Sequence, residues 1–469
     1  MTDWIARELT GVLKRPSGVT VLLDPDCLID KSAMTTISKT CRVIRVEDWA
    51  GLRRAWDLDI RRSSDERHTV ACVSSTDFAI ATDLPWDIEN EAVEVVRLRE
   101  PTPTTPLDDE LTSAVEPDSE QIVVELLEAQ PAAPTDLAGW IETASWWGHV
   151  RAAIAAAASP PPVADTAWHV WERLDDSFRS WLRSSYGASL TSQSAQTPFA
   201  ALHQVAPRLA RRVEDGSKIL LVVIDGLGFA QWHPLRQAAG LEVIESTGSL
   251  AMIPTLTSVS RQAIFAGELP REFARHLRTT SAEERRWRQF WHSRGLEGED
   301  VSYAKLLGDD TSPIPELGRR AAAVVVNAVD EILHGADVLG DRQVAADVDL
   351  WARAGFLTAL VKSASEAGFE TWITSDHGNL PTQASTVPRE GQTVEQAGIR
   401  VRVYPNAALR EQAAHHGECW DPPGLPTEIA SYYPLFAKGR SGYHTGASRV
   451  SHGGISLDEV IVPVAQVSA

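Results

Sequence analysis

Cysteine is scarce in this 469-residue chain: four residues, Cys27, Cys41, Cys72 and Cys419, and no Cys-x-x-C spacing among them. They read as buried or free thiols, and a cysteine-based zinc site is set aside. No apolar run approaches the roughly 18 residues of a spanning helix, so no membrane partner is expected. The first residues, Met-Thr-Asp-Trp-Ile-Ala-Arg-Glu, lack the basic start and apolar core of a signal peptide, and the expected location is the cytoplasm. Basic charge is also short: 44 Lys and Arg against 64 Asp and Glu give a net charge of −20. A general nucleic-acid binder needs a basic footprint, so strong non-specific binding of that kind is not expected. A phosphate-bearing substrate stays open, because bound metal ions would invert the local field.

What the chain does have is apolar residues at 43%, an ordinary share for packed cores, and length for about two to four domains. Residues 1–100 read as a small α/β domain, with strands at 19–23, 42–46, 69–73 and 92–98 and a helix at 47–56. Its first strand ends in Asp24-Pro25-Asp26, either an acidic pocket or strand-terminating turn residues. Residues 101–131 form an acidic, proline-rich linker with a short helix possible at 121–128. Residues 132–216 read as a helical domain whose tryptophans (140, 146, 147, 168, 171 and 181) belong to packing. From 217 to 469 a larger α/β pattern follows, with strands expected at 219–224, 322–327, 370–374, 399–404 and 459–465. A cap region lies near 270–320. Within it, 270–297 is rich in arginine and is either a solvated helix or a contact for an anionic substrate.

The chemistry gathers around residues 217–267. Ile219–Ile224 is apolar at every position, as in a strand buried on both faces, and it stops at Asp225 and two glycines. Open α/β sheets keep their sites at such strand tips. Pro254-Thr255-Leu256-Thr257-Ser258 puts hydroxyls ahead of a helix at 260–266, where an anion can sit. Two further motifs follow strand-like segments, Asp330 with His334 and Ser375-Asp376-His377-Gly378-Asn379, and a third, Ser451-His452-Gly453-Gly454, precedes the run 455–464 that would return the chain to the sheet. Three Asp and three His at one sheet edge would be costly without partners. Metal ions are the simplest common partner, and mixed His and carboxylate ligation without thiolate suits zinc or a similar divalent ion.

These motifs resemble the alkaline phosphatase superfamily and, within it, the PglZ family. The strand ending in Asp225, Thr255–Arg261 and the closing Ser-His-Gly-Gly-x-Ser-x-x-Glu-x-x-x-Pro run carry the likeness; Asp24-Pro25-Asp26 and Phe178–Tyr186 also fit. The resemblance implies an α/β fold: an alkaline-phosphatase-like core sheet with helices on both faces, preceded by the small α/β and helical domains. It implies Thr257 as nucleophile, the second Thr of a Pro-Thr-x-Thr motif. One metal would be held by Asp225, Thr257, Asp376 and His377, and the other by Asp330, His334 and His452. The two ions would be zinc, with manganese or magnesium as alternatives. Arg261, one helical turn past Thr257, is placed either to hold a phosphate oxygen or to make a surface salt bridge.

The resemblance further implies a phosphodiesterase acting on a phosphate ester or oligonucleotide-like substrate, in BREX-type phage defence alongside other BREX proteins. A phosphomonoesterase, a phosphomutase or a catalytically silent metal-binding scaffold are the alternatives. The nucleotide phosphodiesterases of the superfamily carry Phe-Pro-Asn-His where this chain has Ser258-Val259-Ser260-Arg261, so their substrate pocket does not transfer. Thr257 cannot become formylglycine, which disfavours sulfatase chemistry.

Overall fold

A computed structural model describes residues 18–23, 37–46, 49–61, 67–73, 94–97, 119–157, 162–306, 316–336, 340–388 and 396–469. The chain divides into two compact units, 1–115 and 116–469. In the first, β1 (Val19–Leu23), β2 (Arg42–Val46), β3 (Thr69–Val73) and β4 (Glu94–Arg97) form a parallel sheet in the order β2-β3-β1-β4. Helix α1 (Trp49–Ala55) follows β2 and runs into a π-helical turn, Trp56–Ile60. Val21, Leu52, Trp56, Ala71 and Val73 make its core. Asp24-Pro25-Asp26, most of the linker and part of the cap fall outside the described residues.

The second unit opens with helices α2 (Ser119–Glu128), α3 (Leu137–Ala156), α4 (Ala164–Ser189) and α5 (Val205–Glu214). Asp136 caps α3, its carboxylate accepting from the Gly139 N–H at 2.9 Å. The expected helical segment shares one hydrophobic core with the sheet that follows, through Trp140, Phe178, Leu182, Leu209 and Val213. Trp140 meets Phe178 edge-on at 5.2 Å, and Trp146, Trp147 and Trp171 are buried in a satellite cluster. A helix buried on nearly all sides, as α3 is, belongs inside a fold and not on a surface.

The central sheet is built from β5 (Lys218–Ile224), β6 (Glu242–Leu250), β7 (Val301–Leu306), β8 (Ala321–Val326), β9 (Phe369–Thr374) and β10 (Ile461–Ser468). Its order is β6-β10-β9-β5-β8-β7. Strands β7, β8, β5 and β9 run parallel; β10 returns antiparallel between β9 and β6. The intervening helices are α6 (Phe229–Ala238), α7 (Thr257–Ala266), α8 (Glu283–His292), α9 (Ala328–Gly335), α10 (Asp341–Arg353) and α11 (Phe356–Glu366), with α12 (Leu457–Val460) just before β10. Nearly every residue of β5, β8 and β9 is buried, which requires cover on both faces of the sheet. Two expectations shift. The strand at Val401–Tyr404 joins a separate four-stranded antiparallel sheet, and β6 and β7 are additional strands at the two edges. Half-exposed edge strands such as β6 carry no continuous apolar run to announce them.

Register brings the strand tips together. Ile224 pairs with Val326 and Val223 with Thr374, so the residues after β5, β8 and β9 emerge at one edge. A short antiparallel pairing of Leu380–Thr382 with Arg449–Ser451 delivers His452 to the same edge.

On α6, His233 stacks on His149 of α3 at 3.5 Å, and its Nε2–H donates to the Ser145 carbonyl at 2.9 Å. Burial and the neighbouring His149 hold its pKa at about 3. The native state then binds fewer protons than the unfolded chain between about pH 3 and 6.5, so this group's contribution to stability is present above pH 6.5 and lost as pH falls. His233→Gln is expected to flatten the acid side of a melting-temperature profile between pH 6.5 and 4. An unchanged slope would show that His233 is not the proton acceptor.

Candidate metal centre

Asp225 leaves β5 into a turn that Gly226 makes possible, its φ of 73° lying in the left-handed region. Thr257 is the first residue of α7, and Asp330 and His334 lie one turn apart on α9. Asp376 and His377 follow β9. Gly378 must be glycine, because a Cβ there would lie 1.9 Å from the Asp458 carbonyl oxygen.

The three hydroxyls of the 254–258 stretch have different fates. Thr255 Oγ1 donates to the Gly454 carbonyl at 2.9 Å and accepts from the Gly453 N–H at 3.1 Å, which ties down the turn after His452. Ser258 Oγ donates to the Leu277 carbonyl at 2.6 Å. Thr257 Oγ1 instead faces Asp225 Oδ1 at 3.4 Å and His377 Nε2 at 3.1 Å.

Two clusters result. Asp225, Asp376 and His377 form one, and Asp330, His334 and His452 the other; in each, one potential ligand atom per residue lies within 4.8 Å of the rest. His377 Nε2 stands 3.6 Å from Asp225 Oδ1 and 3.5 Å from Asp376 Oδ2. His334 Nε2 lies 3.4 Å from Asp330 Oδ2, and His452 Nε2 lies 3.9 Å from Asp330 Oδ1. The His377 and His452 rings stack at 3.8 Å, so the clusters adjoin. Five of these six residues are shielded, whereas the His334 side chain is 71% exposed.

The donor set fits divalent cations on three counts. His377 Nδ1 lies 3.1 Å from the Gly378 carbonyl and His452 Nδ1 lies 3.0 Å from the Thr255 carbonyl. A carbonyl only accepts, so both protons sit on Nδ1 and both Nε2 lone pairs point at carboxylates. Second, Asp330 Oδ1 and Asp376 Oδ2 are buried without a hydrogen-bond donor. Third, nitrogen and carboxylate oxygen without thiolate is a ligand set for zinc and its neighbours.

Electrostatics tell the same story. Burial pushes Asp225 well above the usual carboxylate range, and the Asp376 charge beside it adds to the rise. Burial also raises Asp376. Burial opposes ionisation of Asp330 too, but hydrogen bonding to His334 and the charge of His452 bring it down to about 2. Burial lowers His377, and burial together with His377 lowers His452 to about 4. Both rings are neutral at pH 7, the state in which imidazole binds metal.

Arg261 is not a surface salt bridge, one of its two expected roles. It is 1% exposed; Nη1 donates to Asp225 Oδ2 at 2.7 Å and to Asn327 Oδ1 at 3.1 Å, and Nε donates to Glu283 Oε1 at 2.9 Å. The inward face of α7 carries it between β5 and α8, and Tyr303 completes the set by donating to Glu283 at 2.8 Å. The arginine-rich stretch divides likewise: Trp287, Phe290 and Trp291 of α8 are buried in the core, while Arg288 is half-exposed and paired with Glu284. A second buried pair, Arg400 with Glu459 at 2.9 Å, holds the His452 turn, since Glu459 accepts from the Gly454 N–H at 2.8 Å and the Ser456 hydroxyl at 2.7 Å. The Ser456-x-x-Glu459 spacing is a capping-box signal visible in the sequence, whereas Arg400 and Glu283 carry none.

An α/β sheet with acids and imidazoles at the carboxyl ends of its parallel strands defines an alkaline-phosphatase-like domain. Residues 202–467 match the family described as the BREX system PglZ alkaline phosphatase-like domain, and the chain belongs to the PglZ family. Among solved structures it is similar to murine ectonucleotide pyrophosphatase/phosphodiesterase 5 at 12% identity and TM-score 0.38, over 53% of this chain and 88% of that one. It is similar to phosphonoacetate hydrolase from Sinorhizobium meliloti 1021 at 12% identity and TM-score 0.35, over 54% and 89%. No curated protein matches the chain.

Removing Arg261 would leave the buried Asp225 and Glu283 without the guanidinium that pairs with both. Arg261→Met in metal-free protein is expected to destabilise the fold by roughly 3–5 kcal/mol, read from denaturant midpoints. A loss below about 1 kcal/mol, the range of exposed pairs, would contradict this role.

Proposed function

We propose that the protein is a metal-dependent phosphohydrolase that acts through Thr257 and prefers phosphodiesters to phosphomonoesters, in BREX-type defence with other BREX proteins as partners. The observation that carries this reading is the fate of the hydroxyls: Thr255 and Ser258 are committed to main-chain carbonyls, and Thr257 alone of the three faces the acid and imidazole cluster.

Asp225, Asp376 and His377 with Thr257 would hold one divalent cation, and Asp330, His334 and His452 the other. Zinc is favoured, with manganese or magnesium as alternatives. Bound there, such ions supply positive charge to the attacking and leaving oxygens of an in-line displacement. The chain's own residues do the rest. Thr257 presents its oxygen at the start of α7, where N–H groups unpaired within the helix favour an anionic phosphoryl group. Its hydroxyl faces two acceptors, His377 Nε2 at 3.1 Å and Asp225 Oδ1 at 3.4 Å; with the imidazole nitrogen turned to a cation, Asp225 would be the base left for that proton. Attack forms a bond from Thr257 Oγ1 to phosphorus and breaks the bond to the leaving alcohol; water then splits the phospho-threonine and restores the hydroxyl. Arg261 orients Asp225 through its bond to Oδ2 and opposes the upward push that burial gives its carboxyl.

Hydrolysis of bis-p-nitrophenyl phosphate with added zinc or manganese tests the reading. Wild-type protein should turn over, and Thr257→Ala should lose at least about 100-fold. Activity that is absent, or indifferent to Thr257, would sink it. Elemental analysis should find two equivalents of metal in the wild type and none in Asp330→Ala/Asp376→Ala. A single equivalent surviving both changes would refute the two-site arrangement.

A further inference from the structure

Among the described residues outside the matched segment 202–467, the buried Arg151 binds the turn that carries Asp376 and His377. Arg151 of α3 is 1% exposed, and its guanidinium has two faces. On one, Nε and Nη2 bind Asp341 at 2.7 and 2.6 Å. On the other, Nη1 donates to the Asn379 carbonyl at 2.6 Å and Nη2 to Asn379 Oδ1 at 2.7 Å, while Nη1 also reaches Asp458 Oδ1 at 3.2 Å.

Asn379 lies two residues past His377. With Oδ1 held by Arg151, its Nδ2 points the other way and donates to the Gly226 carbonyl at 2.8 Å and to Gln231 Oε1 at 2.9 Å. The Gly226 N–H in turn donates to Asp376 Oδ1 at 3.1 Å. The side chain of Asn379 therefore clasps the Asp225–Gly226 turn to the Asp376–His377 turn, and Arg151 gives the shorter of the two bonds that hold its oxygen, Gln231 Nε2 giving the other at 3.2 Å. Asp458, whose carbonyl oxygen packs onto Gly378, is held from the same helical segment by Trp147 Nε1 at 3.0 Å and Trp171 Nε1 at 2.6 Å. An ion pair serving stability alone needs only Asp341. The bonds to Asn379 are directed at the site.

We propose that Arg151 is a positioning residue for the cluster of Asp225, Asp376 and His377, acting through Asn379. The helices preceding the family domain are then part of the site's framework. This rests on the metal reading above. Hydrogen-bond partners one step behind metal ligands typically tune affinity by about 10–100-fold.

The test uses the full-length chain and zinc binding by competition with a chromogenic chelator, with circular dichroism and melting temperature reporting the fold. Arg151→Lys and Asn379→Ala should each weaken zinc binding by about 10–100-fold. The double variant should bind no worse than the weaker single one, because both break one chain of contacts. Asp341→Asn, which cuts only the other face of Arg151, should melt lower and bind zinc within about twofold of wild type. Arg151→Lys that melts lower with wild-type zinc affinity would overturn the proposal, as would additive losses in the double variant. If Arg151→Lys does not fold, Asn379→Ala with wild-type affinity overturns it equally. Wild-type protein that takes up no zinc would instead sink the metal reading itself.

Discussion

Three carboxylates and two neutral imidazoles crowd one buried sheet edge, and the rest of the domain has to bear the cost of keeping them there. Burying a carboxylate is expensive unless a cation or a set of donors faces it. The fold supplies only part of that compensation. Asp225 has Arg261 on one oxygen, and Asp376 has N–H donors from Gly226 and His377 on one oxygen. The remaining Asp376 oxygen and one of Asp330 face inward with no donor. The arrangement is stable in proportion to what else binds, which is how a site for cations differs from a structural ion-pair network.

The solution is layered from the outside in. Carbonyls of Gly378 and Thr255 fix the tautomers of His377 and His452. Thr255 is itself fixed by the Gly453–Gly454 turn, and that turn by Glu459 and Arg400. Each layer is a buried polar group satisfied by the next, so no ligand turn is free to relax alone. The buried arginines 151, 261 and 400 each bridge a ligand-bearing turn to an element far away in sequence. Rigid ligand turns on strand tips are more accurate than turns on loops, and these arginines extend that rigidity one residue beyond the strands.

Much of this was legible in the residue order. The β5 run ending in Asp225 is a parallel-strand signal, and the Asp-x-x-x-His spacing puts two ligand types on one helical face by geometry alone. The edge strands β6 and β7 were not legible, because half-exposed strands lack a continuous apolar run. Nor was the burial of Arg261: one turn past Thr257 along α7 is visible in the sequence, but whether that residue lies at the surface or buried against Glu283 depends on where α8 packs. Arg151 carries no local signal at all. Its partners lie 190 to 307 positions away, and only the tertiary fold makes the contact.

Charge sets the order in which the site can fill. The chain carries a net charge of −20, and within that total the site gathers three acids, two of them raised by burial, around one buried guanidinium, with both shielded imidazoles neutral. A phosphate anion approaching that edge meets like charge in a poorly screened setting, where repulsion is stronger than in water. On the proposed function, cations must therefore come first and substrate second, since only bound cations invert the local field. On that same proposal, an acidic protein acts on phosphate esters without a general basic footprint because affinity for the anion is confined to the loaded site, and the net negative charge discourages long polyanions from binding elsewhere.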